Sequence, residues 1–193
     1  MTEETGDQLR WQTTARENAY ECPGFSIVHE QVQLPDGTET DFDYLHDQPS
    51  VVVLPFTPEG DLVAIEEWRQ AVKRVTRSFP AGGIEPGEGL PEAAERELRE
   101  ETGYEAASVS HLATFEPATG IADATFHYFL ATGCEPGEGQ DLDDDESIRV
   151  DLTSLAEMFD ALAEGELRDG RTALGLLTYA FERTDQLAIA PPT

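Results

Sequence analysis

The chain has 193 residues, 39% of them hydrophobic, with 40 acidic residues against 12 basic ones and a net charge of -28. That is enough for one domain with a sizeable core, or one domain plus a small extension. It carries too little positive charge to neutralise nucleic-acid phosphates or to hold an anionic membrane surface, so neither partner is expected. Acidic residues run through the whole length and Lys73 is the only lysine. This pattern is read as adaptation to the salty cytoplasm of a halophile, because at molar salt the screening length falls to about 3 Å.

In chain order, residues 1–15 are polar and expected to fray. Two strands are expected between residues 24 and 46, joined at Pro35-Asp36-Gly37. A hairpin follows around Thr57 to Asp61, and its first arm, Val51 to Leu54, is apolar enough for a central strand. A short strand is expected before Phe79. Residues 80–89 are rich in glycine and proline and read as a loop. Pro91 suits the first turn of a helix running to about Thr102, with Gly103 just past its end. Strands are expected at 106–116 and 125–132, then a polar loop at 133–146 and a strand in "SIRVDL". Two helices close the chain, the first with apolar positions at 155, 158, 159 and 162. Strands in the middle and helices at the end predict an α/β domain of packed layers.

Cys22 and Cys134 stand in no metal-ligand spacing, so reduced thiols are expected. The four histidines do not cluster in sequence and read as packed or surface residues. No signal-like segment opens the chain and no run approaches 18 apolar residues, so a soluble cytoplasmic protein is expected.

The stretch "RELREETGY", residues 96–104, carries the chemistry. At 100° per residue, Glu97, Glu100 and Glu101 project within about 100° of arc and can converge on one point. Glu97 and Glu101 lie one turn apart and repel each other on an empty helix. Arg96 is expected to reach Glu92 or Glu100, and Arg99 to reach Glu95. A divalent cation compensates better, and an all-oxygen donor set with substrate phosphates suits Mg²⁺ or Mn²⁺. The plain alternative is a solvated helix face in an acidic protein. The glycine-rich loop just upstream favours metal and phosphate chemistry, because it returns Glu85 and Glu88 towards the helix and offers backbone N–H groups to an anion.

The stretch from Gly82 to Tyr104 resembles the signature of the Nudix hydrolases. That signature is a glycine, five residues, a glutamate, seven residues, then Arg-Glu-apolar-x-Glu-Glu-x-Gly-apolar. Gly82, Glu88, Arg96, Glu97, Leu98, Glu100, Glu101, Gly103 and Tyr104 meet every fixed position. The likeness extends over roughly residues 17–183 and is to the ADP-ribose pyrophosphatase branch. It implies a Nudix-type α/β/α sandwich with a mixed sheet and a small N-terminal antiparallel sheet. Residues 1–48 would form N-terminal strands that build a homodimer, and residues 49–193 the catalytic domain.

The implied activity is metal-dependent hydrolysis of the pyrophosphate bond in a nucleoside diphosphate sugar, with ADP-ribose cleaved to AMP and ribose 5-phosphate. The alternatives are dinucleotides, oxidised nucleoside triphosphates, or nucleotide binding without catalysis. By the resemblance, the Ala81 carbonyl and the Glu97 and Glu101 carboxylates look like ligands of Mg²⁺ or Mn²⁺. Glu100 stands where a further ligand or water-activating group belongs. Arg96 matches the arginine that orients the glutamates, and Glu85 a position that contacts substrate or water. Glu146 aligns best with a catalytic loop carboxylate, with Asp144 next. Arg69 matches an arginine for substrate phosphate, and Trp68 or Phe25 could stack on a base. One departure stands out: Ala122 and Ala124 occupy places where polar residues are frequent, leaving only Asp123.

Overall fold

The computed structural model describes residues 8–143 and 146–183. Its elements are β1 (Gln12–Cys22), β2 (Phe25–Gln33), β3 (Glu39–Asp47), β4 (Ser50–Phe56), β5 (Leu62–Arg69), β6 (Arg74–Ser78), β7 (Ala81–Gly83), α1 (Leu90–Thr102), β8 (Tyr104–Glu105), β9 (Ser108–Phe115), β10 (Phe126–Thr132), β11 (Glu135–Pro136), β12 (Ile148–Thr153), α2 (Leu155–Ala163) and α3 (Gly170–Arg183). They form two compact units, one ending at Pro49 but including Glu116–Thr125, the other made of the rest.

The larger unit is built on a seven-stranded sheet in the order β12-β5-β4-β10-β9, with β6 on β5 and β7 on β4. The sheet is mixed: β4 and β10 run parallel, and the other pairs are antiparallel. Apolar residues on both parities of β4 let it bury both faces. Val51 and Val53 pack with Ala93, Ala94 and Leu98 of α1, while Val52 and Leu54 pack with Met158 of α2 and Leu176 of α3. This is the expected layering of helices on both sides of a sheet. Burying a side chain such as Leu98 completely contributes about 1.5–3 kcal/mol. Helix α2 opens on a capping box between Ser154 and Glu157. Gly175 lets α3 approach the sheet, because a Cβ there would stand 3.1 Å from Leu54 and 3.2 Å from Tyr128.

The smaller unit is an antiparallel sheet in the order β1-β2-β3. Its 116–125 segment is strung along β3, with Leu45 N–H donating to Ile121 O (2.9 Å) and Asp123 N–H to Leu45 O (3.2 Å). Asp123 also bonds His46 Nδ1 (2.6 Å) and accepts from Asp47 N–H (3.1 Å).

Three local expectations are corrected. The strand β1 begins at Gln12, inside the stretch read as frayed, because β2 offers it nine register partners. The glycine-rich loop contains β7, whose three residues pair with β4. A two-residue ladder of β8 with β11 was not foreseen. Both cysteines are free. Among the described residues no helix is long and apolar enough to cross a membrane.

Candidate active site

Helix α1 has Pro91 in its first turn and ends where Gly103 turns left-handed, with φ of 72° and its N–H on Arg99 O (2.7 Å). A side chain at that position would be strained, and its Cβ would lie 2.7 Å from Gly139. The loop after β11 then satisfies the carbonyl end of the helix. Gly137 N–H donates to Gly103 O (2.7 Å), Asp141 N–H to Glu100 O (2.9 Å) and Gln140 Nε2 to Glu101 O (2.6 Å). These ties tether the acidic loop that leads to Glu146.

The buried face of α1 contains two carboxylates besides its alanines and leucine: Glu97 is 8% exposed and Glu101 3%. Arg96 gathers the charges around it. Its Nη1 donates to Glu97 Oε1 (2.8 Å) and Glu100 Oε2 (3.0 Å). Its Nε donates to Glu88 Oε1 (2.9 Å), and its Nη2 to Glu88 Oε2 (3.1 Å) and Gly83 O (2.7 Å). The glycine-rich loop supplies Glu88 and the Gly83 carbonyl, so a forked contact to Glu88 takes the place expected for Glu92. Arg99 lies 3.9 Å from Glu100 and is not paired with Glu95. Arg96 holds Glu88 below the usual carboxylate range, and Glu88 also braces the loop by accepting from Glu85 N–H (3.0 Å).

Burial pushes Glu97 up in pKa, and the bonds from Arg96 oppose this. Burial pushes Glu101 up to about 8. A single backbone donor, Ala81 N–H at 3.0 Å from Glu101 Oε2, opposes the shift, while the charges of Glu97, Glu146 and Glu67 add to it. Three acids thus act on one buried carboxylate, and Arg96 bonds only one of them.

Glu67 is the residue that sequence reasoning missed. It is 8% exposed, and burial raises its pKa ahead of an opposing effect from Arg69. Arg69 Nη2 lies 2.6 Å from Glu67 Oε2. The contact is an ion pair without hydrogen-bond alignment, since Oε2 has no hydrogen-bond partner among the described residues. The alternation of β5 held the available signal: Glu67 has the parity of the buried Val63 and Ile65.

The structure therefore brings together Ala81, Arg96, Glu97, Glu100 and Glu101, with Glu146 close enough for its charge to act on Glu97 and Glu101. Arg69 joins this group through Glu67. Trp68 points to the other face of β5 and, with Val75, Leu142 and Ile148, lines a cleft of about 490 Å³. Glu85 is exposed. Phe25 belongs to the smaller unit, 41% exposed and 6.5 Å from the Tyr20 ring. Asp144 lies outside the described residues.

Among the described residues no three His, Cys, Asp or Glu side chains stand as a ready metal cluster. Glu97 and Glu100 share one nitrogen of Arg96. The donors nonetheless fit a hard divalent cation: they are all oxygens, two are buried carboxylates, and burial disfavours their charge unless a cation offsets it. A Cβ on Gly82 would overlap the Glu97 carboxylate, so the loop is shaped around that group.

A sequence profile of the NUDIX domain matches residues 46–173. The chain is 31% identical over 169 residues to an ADP-ribose pyrophosphatase of Bacillus subtilis (strain 168), covering 87% of this chain and 91% of that one. The chain belongs to the Nudix family. A methanol dehydrogenase activator of Bacillus methanolicus is 30% identical over 148 residues, covering 76% of this Nudix chain and 80% of the relative. The fold matches a crystal structure of an ADP compounds hydrolase at a TM-score of 0.79, 21% identity and coverage of 89% and 92%. This Nudix protein is a pyrophosphohydrolase acting on a nucleotide-derived small molecule, and enzymes of the family typically need a divalent metal.

Proposed function

We propose that this Nudix enzyme cleaves the pyrophosphate bond of a nucleoside diphosphate sugar, with ADP-ribose giving AMP and ribose 5-phosphate. The observation that carries the reading is the pair of buried carboxylates, Glu97 and Glu101, facing Ala81 and Gly82 of β7. The long likeness to the B. subtilis protein named ADP-ribose pyrophosphatase supports the substrate class. Glu97, Glu101, Glu100 and the Ala81 carbonyl would hold Mg²⁺ or Mn²⁺. When bound, the cation polarises phosphoryl oxygens and lowers the pKa of the attacking water.

The chain's own groups do the rest. Arg96 fixes Glu97 and Glu100 in place and screens their repulsion. Glu146 takes the proton of the attacking water on its carboxylate, a role Asp144 could share. Glu85 contacts the water or the substrate beside them. Arg69, paired with Glu67, grips the diphosphate through its guanidinium fork. Trp68 or Phe25 offers an aromatic face to the base. A substrate panel with product identification tests the reading. AMP plus ribose 5-phosphate from ADP-ribose is the expected result, and a strong preference for dinucleotides or triphosphates would overturn it.

The same proposal includes assembly and setting. β1 is exposed along almost its whole length, and Trp11, Tyr20 and Phe25 are exposed large apolar residues around it. A small sheet of this kind needs a surface to pack on. A second copy of the chain, related by a two-fold axis, supplies one. Two chains of -28 repel, so the dimer should hold at molar salt and weaken as salt is withdrawn. Light scattering across a salt series decides it, and a fully active monomer at molar salt would sink both the dimer and any sharing of the active site between its subunits.

A further inference from the structure

Cations are scarce in this chain, yet three of its 12 lysine and arginine side chains line one groove. Arg74, Arg77 and Arg168 surround a space of about 220 Å³ together with Val75, Thr76 and Glu166. The groove lies where β6 meets the segment between α2 and α3. Among the described residues β6 pairs only with β5, so it is an edge strand.

The three guanidinia are not equally committed. Arg77 Nε sits 2.8 Å from Asp151 Oδ2, a half-buried ion pair. Arg168 Nε donates to Gly165 O (3.1 Å), which anchors the side chain and leaves its terminal nitrogens uncommitted. Among the described residues neither Arg74 nor Arg168 forms an ion pair, although Glu166 lines the same groove. In a protein with 40 acidic residues, arginines left without a carboxylate call for an explanation.

We propose that this groove is a second anion site, separate from the catalytic carboxylates, that takes a phosphate group. Arg74 and Arg168 supply planar forks matched to phosphate oxygens. Three guanidinia stand against Glu166 and the Asp151 that pairs with Arg77, so the groove keeps a net positive charge that a small phosphate anion offsets. A polyanion does not fit, because the surrounding surface of a -28 chain repels it. The phosphate can come from free inorganic phosphate or from a phosphate monoester such as the enzyme releases. The site does not depend on which substrate the enzyme cleaves.

The test uses calorimetry on the full chain in chelator at low salt, with inorganic phosphate, AMP and ribose 5-phosphate titrated separately. Without metal the Glu67, Glu97 and Glu101 cluster repels anions, so binding reports on the arginines. Arg74→Gln and Arg168→Gln are the variants. Arg77 is left alone because losing it would strand Asp151 without its partner. One-to-one binding is expected, weakened about tenfold or more by each substitution and changed less than about twofold by Glu101→Gln. Tighter binding of a monoester than of inorganic phosphate would identify a reaction product as the ligand, and the reverse order would identify free phosphate. Absence of saturable binding by all three anions would overturn the proposal. So would binding that survives the double substitution in a protein with an unchanged melting temperature.

Discussion

Replacing Gly82 with alanine would test the site with one methyl group. Gly82 is not in the left-handed region, so its backbone accepts alanine without strain. The obstacle is space: the new Cβ would fall well inside 3.0 Å of Oε1, Cδ and Oε2 of Glu97. Those atoms end a flexible side chain, so the carboxylate moves and the backbone stays. Reaching an ordinary contact distance takes a displacement of at least about 1 Å, and a shift of that size at a catalytic group costs about a hundredfold in rate, or about 2.7 kcal/mol of transition-state stabilisation. Stability should barely change. Alanine restricts the unfolded chain by about 0.4–1 kcal/mol, and weakening the Glu97–Arg96 bond removes about as much. The assay is kcat/KM on ADP-ribose with saturating Mg²⁺, beside a thermal melt. Gly82→Ala combined with Glu97→Gln should be little worse than Glu97→Gln alone, since both act through one carboxylate. Wild-type turnover in Gly82→Ala, or losses that simply add in the double variant, would refute the reasoning.

Glu101→Gln should lower turnover by about a thousandfold or more, while the melting temperature in chelator holds or rises, because an amide is cheaper to bury than a repelled carboxylate; a folded, fully active variant would contradict this. Arg96→Gln should lose activity and about 3 kcal/mol of stability, because Glu88 and Glu97 are left with charge that, among the described residues, Arg96 alone pairs with; denaturant unfolding measures it, and an unchanged midpoint would count against the network. Burial pushes the Cys134 thiol up to about 11 and the Tyr128 phenol up to about 12, from ordinary values of 9.0 and 10.0. The folded state keeps these protons longer than the unfolded chain, so their contribution is complete below pH 9 and lost as pH rises through 9–11 and 10–12. Unfolding curves from pH 8 upward should show that decline, and a flat profile would reject it. In the native protein a thiol reagent should label Cys22 alone, with Cys134 reacting only after unfolding.

The helix, its two ends and the buried face shared by Glu97 and Glu101 were legible in the sequence because each rests on local rules: proline in the first turn, glycine at the left-handed cap, and 100° between residues. The central strand β4 was legible for the same reason, since a run of apolar residues needs both faces covered. What the sequence could not settle was which partner each charged group would choose. Arg96 had Glu92 and Glu100 within helical reach and took Glu100, but the loop added Glu88 and the Gly83 carbonyl, and the forked contact to Glu88 stands where Glu92 was the other choice. Glu67 looked like one acid among 40 until the sheet placed it inside, beside Arg69 and within the electrostatic reach of Glu101. β1 was missed because its composition is polar and its strand form comes from pairing with β2, a long-range contact with no local signature. Local chemistry determined the signature helix. Tertiary packing decided which carboxylates lost their water, and with it which of them carry a perturbed charge.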